Sequence, residues 1–504
     1  MEKIAILDLG SNSARLVIVR IMPGGYFMVI DELKEPVRLA KDMETDGFLR
    51  PLRVAQTIKT LRTFRTLYES HNVSKVFAYA TAAVRRAKNR QSFIEEVANT
   101  CGIKLTVISQ EEEATLVYRG VINSMDIPKG LIMDIGGGSI KLIHYNRRVL
   151  LAQDTLPFGA VTLTEKFSSV SDDPEEVADM IENFVVSEIK KLDWIKDLED
   201  EVQLIGVGGS LRNLGKISRR IRKYPLNMAH NYNIPLSEIQ TIYNTIKPLD
   251  AEKASRIKGL SSARADIFPA SLSALNALIK CTKFNNLVIG GAGLREGAMF
   301  TYSVPQTIEK PVGDVTGHGI YTMLHHFNMN IPHAEQVFDL SLQLYKQLRV
   351  LHKLPRRFIK ILRVAAMLHD VGSNLKFYDH HKHTAYFILN SNLYGIPQKD
   401  LIIAAFVAAS HTKQGLDIED LRPYAHLLDD EDLEAIKKMG VIVRIAECFD
   451  RSMGKVIVGI NCDVLGDSVI LKTETEGDCT LEIKDAMGAL NEFRKAFKKN
   501  LDIL

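Results

Sequence analysis

The sequence predicts two α/β domains built on one plan and facing each other across a cleft, then an all-helical domain and a small α+β tail. Three observations carry this. First, an apolar run ending in Asp, followed by a Gly/Ser turn and a second apolar run, occurs twice. The copies are Ile4-Ala-Ile-Leu-Asp8-Leu-Gly10-Ser11-Asn12-Ser13 and Leu131-Ile-Met-Asp134-Ile-Gly136-Gly137-Gly138-Ser139. Second, a strand-rich opening gives way to helical periodicity after each copy. Third, the pattern turns almost wholly helical beyond Tyr302, with Pro305 and Pro311 marking a linker.

In chain order, strand signals fall at 3–9, 15–21, 26–33, 75–80 and 104–109, and helical periodicity at 51–70, 91–100 and 110–124. The second copy reads as strands at 130–135, 140–145, 149–156, 202–207 and 286–290, with helices at 159–167, 174–194, 210–221, 236–246 and 266–281. Helices follow at 317–327, 333–351, 355–370, 382–391, 398–411 and 430–448, then a β-like stretch over 456–483 and a last helix over 486–500. The expected domains are 1–125, 126–305, 306–450 and 451–504.

Each Gly/Ser turn is a hairpin tip with an acidic side chain beside it. Small residues let backbone N–H groups approach phosphate oxygens, and Asp can hold a hydrated divalent cation. Either copy alone reads as an ordinary hairpin. The repetition, with Asp in the same place, favours a phosphate clamp.

The chain is 46% hydrophobic and 25% charged with a net charge of +3, which excludes a general polyanion binder and leaves any basic function to local clusters. Five cysteines without a CxxC pair read as reduced thiols of a cytoplasmic protein. The chain enters a strand at once, so no signal peptide is expected, and no apolar run approaches the ~20 residues of a membrane helix. Basic residues are not interleaved with stacking aromatics, which argues against nucleic acid.

Four further segments fit a phosphate cleft. Thr81-Ala82-Ala83-Val84-Arg85 places a guanidinium after a strand, where it can grip phosphate or simply begin a solvated helix. Ser109-Gln110-Glu111-Glu112-Glu113-Ala114 puts three carboxylates at a helix N-terminus, as a capping device or as a base that orients water. Gly206-Val-Gly208-Gly209-Ser210 runs from strand into a helix bearing Arg212, Lys216, Arg219, Arg220, Arg222 and Lys223, which is either a solvated face or a seat for an extended polyanion. Gly290-Gly291-Ala-Gly293-Leu294-Arg295-Glu296-Gly297 again sets glycines after an apolar strand.

Taken together, DLGSNS at 8–13, ATAAVRRAKN at 80–89, EEEA at 111–114, DIGGGS at 134–139, GVGGS at 206–210 and GAGLREG at 291–297 resemble the exopolyphosphatase / guanosine pentaphosphate phosphohydrolase family, over essentially the whole chain. The resemblance implies an actin-like (ribonuclease H-like) fold for the duplicated half and an HD-like domain for the helical part. It implies attack of water on a terminal phosphoryl group with Glu113 as catalytic base. Asp134, with Asp8 on the opposite tip, would hold magnesium. Ser11, Asn12, Ser13, Arg85, Gly136, Gly137, Gly138 and Ser139, with Gly208, Gly209 and Ser210, would bind phosphate. It also implies a homodimer. Two residues depart from the family pattern. Lys141 stands where GGGSTE members carry Glu, and Thr115 where they carry Arg. A cation in place of that carboxylate either weakens the metal site or takes over part of the metal's charge, so altered magnesium dependence is expected.

Eleven of the fourteen histidines lie beyond residue 317. His333, His369-Asp370 and Asp450 follow the order of an HD-type site for a divalent ion. His380, His381, His383 and His411 are further candidates for a second ion or for phosphate. Lys353, Arg356, Arg357, Lys360 and Arg363, with Arg212, Lys216, Arg219 and Arg220 and the histidine run, are the expected walls of a polyphosphate channel. The expected substrate is inorganic polyphosphate, hydrolysed from its end. Guanosine pentaphosphate, converted to the tetraphosphate, is the alternative, and a binding protein without turnover is a third reading.

Overall fold

The runs Lys3–Leu9 (β1) and Ala14–Ile21 (β2) are almost entirely aliphatic apart from their polar ends, and both are buried, so they form the centre of a sheet. In the computed structural model, which describes residues 2–43, 45–199, 201–413, 415 and 418–504, they pair antiparallel from Lys3–Arg20 to Leu9–Ala14. Phe27–Glu35 (β3), Lys75–Ala80 (β4) and Thr106–Val107 (β5) complete the sheet in the order β3-β2-β1-β4-β5. The second sheet repeats the plan. Lys129–Ile135 (β6), Ile140–Asn146 (β7) and Val149–Leu156 (β8) form an antiparallel meander, and Gln203–Val207 (β9) pairs parallel with β6 as β4 does with β1. Tyr232–Pro235 (β10) and Asn286–Ile289 (β11) extend it, giving β10-β11-β9-β6-β7-β8.

The chain forms two compact units, Met1–Tyr224 with Ala229–Val315, and Pro225–Met228 with Thr316–Leu504. In the first, five helices matter for the site or its support: Pro51–Ser70 (α1), Gln110–Ile122 (α2), Gly209–Ile221 (α3), Phe268–Lys280 (α4) and Leu294–Ser303 (α5). Helix α2 follows the first sheet in sequence but buries Ala114, Val117 and Val121 against Ile132, Ile143 and Ile205 of the second. It meets α5 backbone to backbone. A Cβ on Gly297 would lie 1.9 Å from the Leu116 carbonyl oxygen, and one on Gly120 would lie 2.2 Å from that of Gly293. Only glycine permits this approach, and it fixes the height of Glu113 on α2.

Several elements differ from the sequence reading. The strand expected at 104–109 shrinks to two residues. The helix expected at 174–194 ends at Ile189 and resumes as Asp193–Lys196. The short edge strand β10 ends in proline and carries too little pattern to be read. Helix α5 begins at Leu294, inside the segment 290–297 that the sequence reading treats as glycine-rich backbone after a strand.

The second unit is built on Ile331–Gln347 (α6), Phe358–Met367 (α7), His380–Asn390 (α8), Gln398–Ala409 (α9) and Asp430–Cys448 (α10). Helix α9 is buried from Leu401 to Ala409 and forms its centre. The tail is a small sheet of Ile457–Val464 (β12), Ser468–Thr475 (β13) and Asn500–Ile503 (β14). Thr480–Ala486 is helical rather than β-like. The final helix runs only from Leu490 to Phe497, because Lys498 takes a left-handed conformation (φ 58°) and the chain returns as β14, parallel to β13. Among the described residues, no helix is long and apolar enough to cross a membrane.

Candidate active site

The two hairpin tips are made by the same turn. Gly10 N donates to Ser13 O at 3.1 Å, and Gly136 N donates to Ser139 O at 3.0 Å. The tips face each other closely. A Cβ on Gly138 would come within 2.7 Å of Ser11 Oγ, and one on Gly137 within 3.0 Å of Ser11 Cβ. Asp8, Ser11, Asn12 and Ser13 from one sheet and Asp134, Gly136, Gly137, Gly138 and Ser139 from the other therefore line one cleft.

Glu113 reaches this cleft because of how α2 begins. Ser109 Oγ accepts from Glu112 N at 3.0 Å and the Glu112 carboxylate accepts from Ser109 N at 2.7 Å, so Glu112 is the capping residue. Glu111 is exposed, whereas Glu113, two residues on, is 5% exposed and lines the cleft. Its Oε2 accepts from Arg85 Nη1 at 3.0 Å, and its Oε1 accepts from the ammonium of Lys141. Burial pushes the Glu113 carboxyl up, but Lys141 and Arg85 outweigh it and hold the group below its ordinary value. Lys141 is 2% exposed. Burial would lower its pKa, yet Glu113 and Asp134, the latter 3.4 Å away, raise it. The three groups form a buried, charged cluster with the lysine fully ionised. Arg85 Nη1 also donates to Ile108 O at 2.9 Å, while its buried Nη2 has no protein partner.

The cleft is also lined by Arg15 of the first half and by Arg212, Arg264 and Arg295 of the second. Burial, then mutual repulsion with Arg15 and Arg295, lowers Arg212 below the usual guanidinium range. The nearby acids are fewer. Arg295 donates to Glu32 at 2.6 Å, and Glu296 caps α5 through Gly293 N at 2.8 Å. Burial raises the pKa of Asp8 despite Arg15 and Arg295. Such an excess of buried cations calls for an anionic ligand.

Gly208, at φ 96°, turns the chain into α3 with Gly209, and both line the cleft together with Arg212. The other expected residues of this segment do not. Ser210 is buried with its hydroxyl bonded to Ser271 Oγ at 2.8 Å, so it supports the core instead of binding phosphate. Arg219 lies over the Tyr232 ring, 5.7 Å from its centre, and Lys216 and Arg220 are exposed on α3 outside the cleft. Arg15 and Arg264 are cleft residues that sequence reasoning passed over. For Arg15 the signal was present: it pairs across β1–β2 with Asp8 as Lys141 pairs across β6–β7 with Asp134. Arg264 ends the short 3-10 turn Ser262–Arg264 and offers no local signal.

The residues present do not fit the magnesium ion that the family resemblance implies. Lys141 places its ammonium against Glu113 and beside Asp134, where such an ion would sit. Among the described residues, Asp8, Glu113 and Asp134 do not form a group of converging ligand atoms.

In the second unit, His333, His369, Asp370, His380 and His411 come together, and Asp450 stands behind His333, taking its Nδ1 at 2.8 Å. His381 instead lines a separate cavity with Tyr386, Phe406 and Tyr424, and His383, half-buried on α8, is outside the cluster. Arg357 is engaged with Glu431 and Asp432 and stacked on Phe358, while Arg356 is exposed.

A duplicated α/β unit whose two Gly/Ser tips enclose a cation-rich cleft with one buried carboxylate defines a phosphate-handling hydrolase. The comparisons agree: residues 17–304 match the Ppx/GppA phosphatase family, and residues 317–485 match Ppx/GppA phosphatase domain III. The chain belongs to the Ppx/GppA phosphatase family and is a phosphoanhydride hydrolase by that membership. It is 29% identical over 406 residues to a guanosine-5'-triphosphate,3'-diphosphate pyrophosphatase of Pseudoalteromonas atlantica, covering 77% of this chain and 75% of that protein. An exopolyphosphatase structure from Cytophaga hutchinsonii is 25% identical with a TM-score of 0.57, covering 60% of this chain and 98% of the other. A family member from Aquifex aeolicus is 27% identical with a TM-score of 0.51, over 60% and 98% of the two chains.

Proposed function

We propose that the cleft removes terminal orthophosphate from inorganic polyphosphate by direct attack of water. The observation that carries this is the Glu113–Lys141–Arg85 cluster, whose Glu113 and Lys141 line a cleft that also holds Arg15, Arg212, Arg264 and Arg295. An entering phosphoryl group competes for both cations. Arg85 has an unpaired Nη2 to offer, and the tip amides and hydroxyls of Ser11–Ser13 and Gly136–Ser139 supply further donors. Glu113, relieved of its partners, turns to the attacking water and takes its proton as the oxygen bonds to phosphorus. The bridging P–O bond breaks, and the electron pair leaves with the shortened chain. Lys141 is the fixed cation that balances charge on the transferring group.

Arg15, Arg212, Arg264 and Arg295 suit successive phosphates of one linear chain. Guanosine pentaphosphate is the second reading, favoured by the name of the Pseudoalteromonas relative. Phosphate release from long-chain polyphosphate and from the nucleotide, measured side by side with wild type and Glu113→Gln, tests both. Turnover of neither substrate, or equal turnover by the variant, defeats the proposal.

A further inference from the structure

Three strands of the first sheet place a row of charged residues on its cleft face. In an antiparallel pair, residues directly opposite each other project from the same side of the sheet. Asp8 of β1 stands opposite Arg15 of β2, and Arg15 stands opposite Lys34 of β3. The neighbouring row of Leu7, Leu16 and Leu33 turns the other way and packs in the hydrophobic core. Asp8 and Arg15 line the cleft, so Lys34 shares their face on the edge strand. Lys34 is exposed, and two strand spacings put it about 10 Å from Asp8 across the sheet.

The surroundings of Lys34 are cationic. The protein packed about its ammonium pushes the group down to about 8, and Arg15, Arg264 and Arg212 push it the same way, with Glu32 opposing them. Glu32 is already engaged by Arg295 at 2.6 Å. Among the described residues, the Lys34 ammonium has no ion-pair partner. A lysine repelled by three guanidiniums, with no carboxylate of its own, occupies a place that a bound anion stabilises.

We propose that Lys34 is the outermost contact of the cleft for a linear phosphate chain, and that it sets how tightly long chains are held relative to short ones. The inference rests on the reading of the cleft as a polyphosphate site. With the terminal phosphoryl at the tips beside Asp8, a short chain ends before Lys34, and a longer one passes Arg15 and meets it. An ammonium on a flexible stem is a point charge without the fixed fork of a guanidinium. It therefore adds grip without fixing register, which suits a chain that advances by one phosphate after each hydrolysis.

The test measures binding of tripolyphosphate and of long-chain polyphosphate to the full chain by calorimetry, alongside phosphate release from both. Binding is read in Glu113→Gln, so that turnover does not consume the ligand, with and without Lys34→Gln or Lys34→Arg. Lys34→Gln should weaken long-chain binding about two- to fivefold, an effect that shrinks at high salt, and leave tripolyphosphate little changed. Lys34→Arg should keep the long-chain affinity. Lys34 is charged below about 8 and neutral above it, so kcat/KM for long chains should fall as the pH rises through that value in otherwise unaltered protein. The always-charged arginine of Lys34→Arg should keep the profile flat there. Lys34 is exposed, so these substitutions should not disturb folding. Equal weakening at both lengths, or none with the long chain, would overturn the assignment of Lys34 alone. Length-dependent binding without phosphate release would defeat the reaction but support Lys34, and binding of neither length would defeat both.

Discussion

Lys141 stands directly across the β6–β7 pair from Asp134, with its ammonium 3.4 Å from that carboxylate and enclosed against Glu113. Arg15 and Asp8 occupy the corresponding positions of the first hairpin. A cation opposite the acidic residue is thus a property of both halves, and in the second half it serves as the built-in counter-ion of the cleft.

If Lys141 supplies that charge, phosphate release by wild type should be insensitive to chelator. Lys141→Met leaves Glu113 buried with Arg85 alone and should cost about 3–5 kcal/mol of stability, read by chemical denaturation. Lys141→Glu should need Mg2+ both to fold fully and to turn over, and activity against Mg2+ concentration checks this.

The cluster also predicts an acid limb of stability. The folded pKa of Glu113 lies below its ordinary value of 4.5, so its contribution is complete above about 4.5 and disappears as the pH falls through the lower folded value. Lys141 is shifted up from 10.5, so its share is complete below that value and is lost only at higher pH. Between these limits the pair gives a flat profile. Denaturation of wild type and Glu113→Gln from pH 7 to about 3 should show a steeper loss below 4.5 in wild type, with the two curves converging.

Gly297→Ala should act at a distance. The new methyl meets the Leu116 carbonyl oxygen and forces α2 from α5. A loss of about 1–3 kcal/mol is expected, with a fall in kcat larger than any change in KM, because α2 carries Glu113. Thermal melts and steady-state kinetics read the two effects separately.

Arg212→Gln should weaken the grip on the chain more than the chemistry. KM for long polyphosphate should rise on the order of tenfold with kcat within a few fold, and the effect should shrink at high salt. A loss confined to kcat would place Arg212 at the reacting phosphoryl instead.

Much of this was legible because it is local. The duplicated hairpins, Gly208 before α3 and the apolar helices α7 and α9 follow from periodicity and turn chemistry, and the elements sit near where those signals put them. Of three adjacent glutamates, however, only the family resemblance singled out Glu113, and the helical pattern did not say which caps the helix, which is solvated and which enters the cleft. That depends on the rotation of α2 about its axis, which the Gly120 and Gly297 contacts with α5 set. Arg219 and Ser210 looked like ligand residues for the same reason in reverse. One turn of α3 carries Arg212 into the cleft, and the others carry Arg219 onto Tyr232 and Ser210 into the core.

The amino-acid sequence by itself determined the repeated plan, the helical second unit and the family, since strand period, helix period and turn glycines are written in neighbouring residues. Tertiary structure alone decided the electrostatics. Lys141 became the counter-ion of Glu113, and four imidazoles came to face one aspartate, because charges separated by tens of residues interact only after packing has removed the water between them.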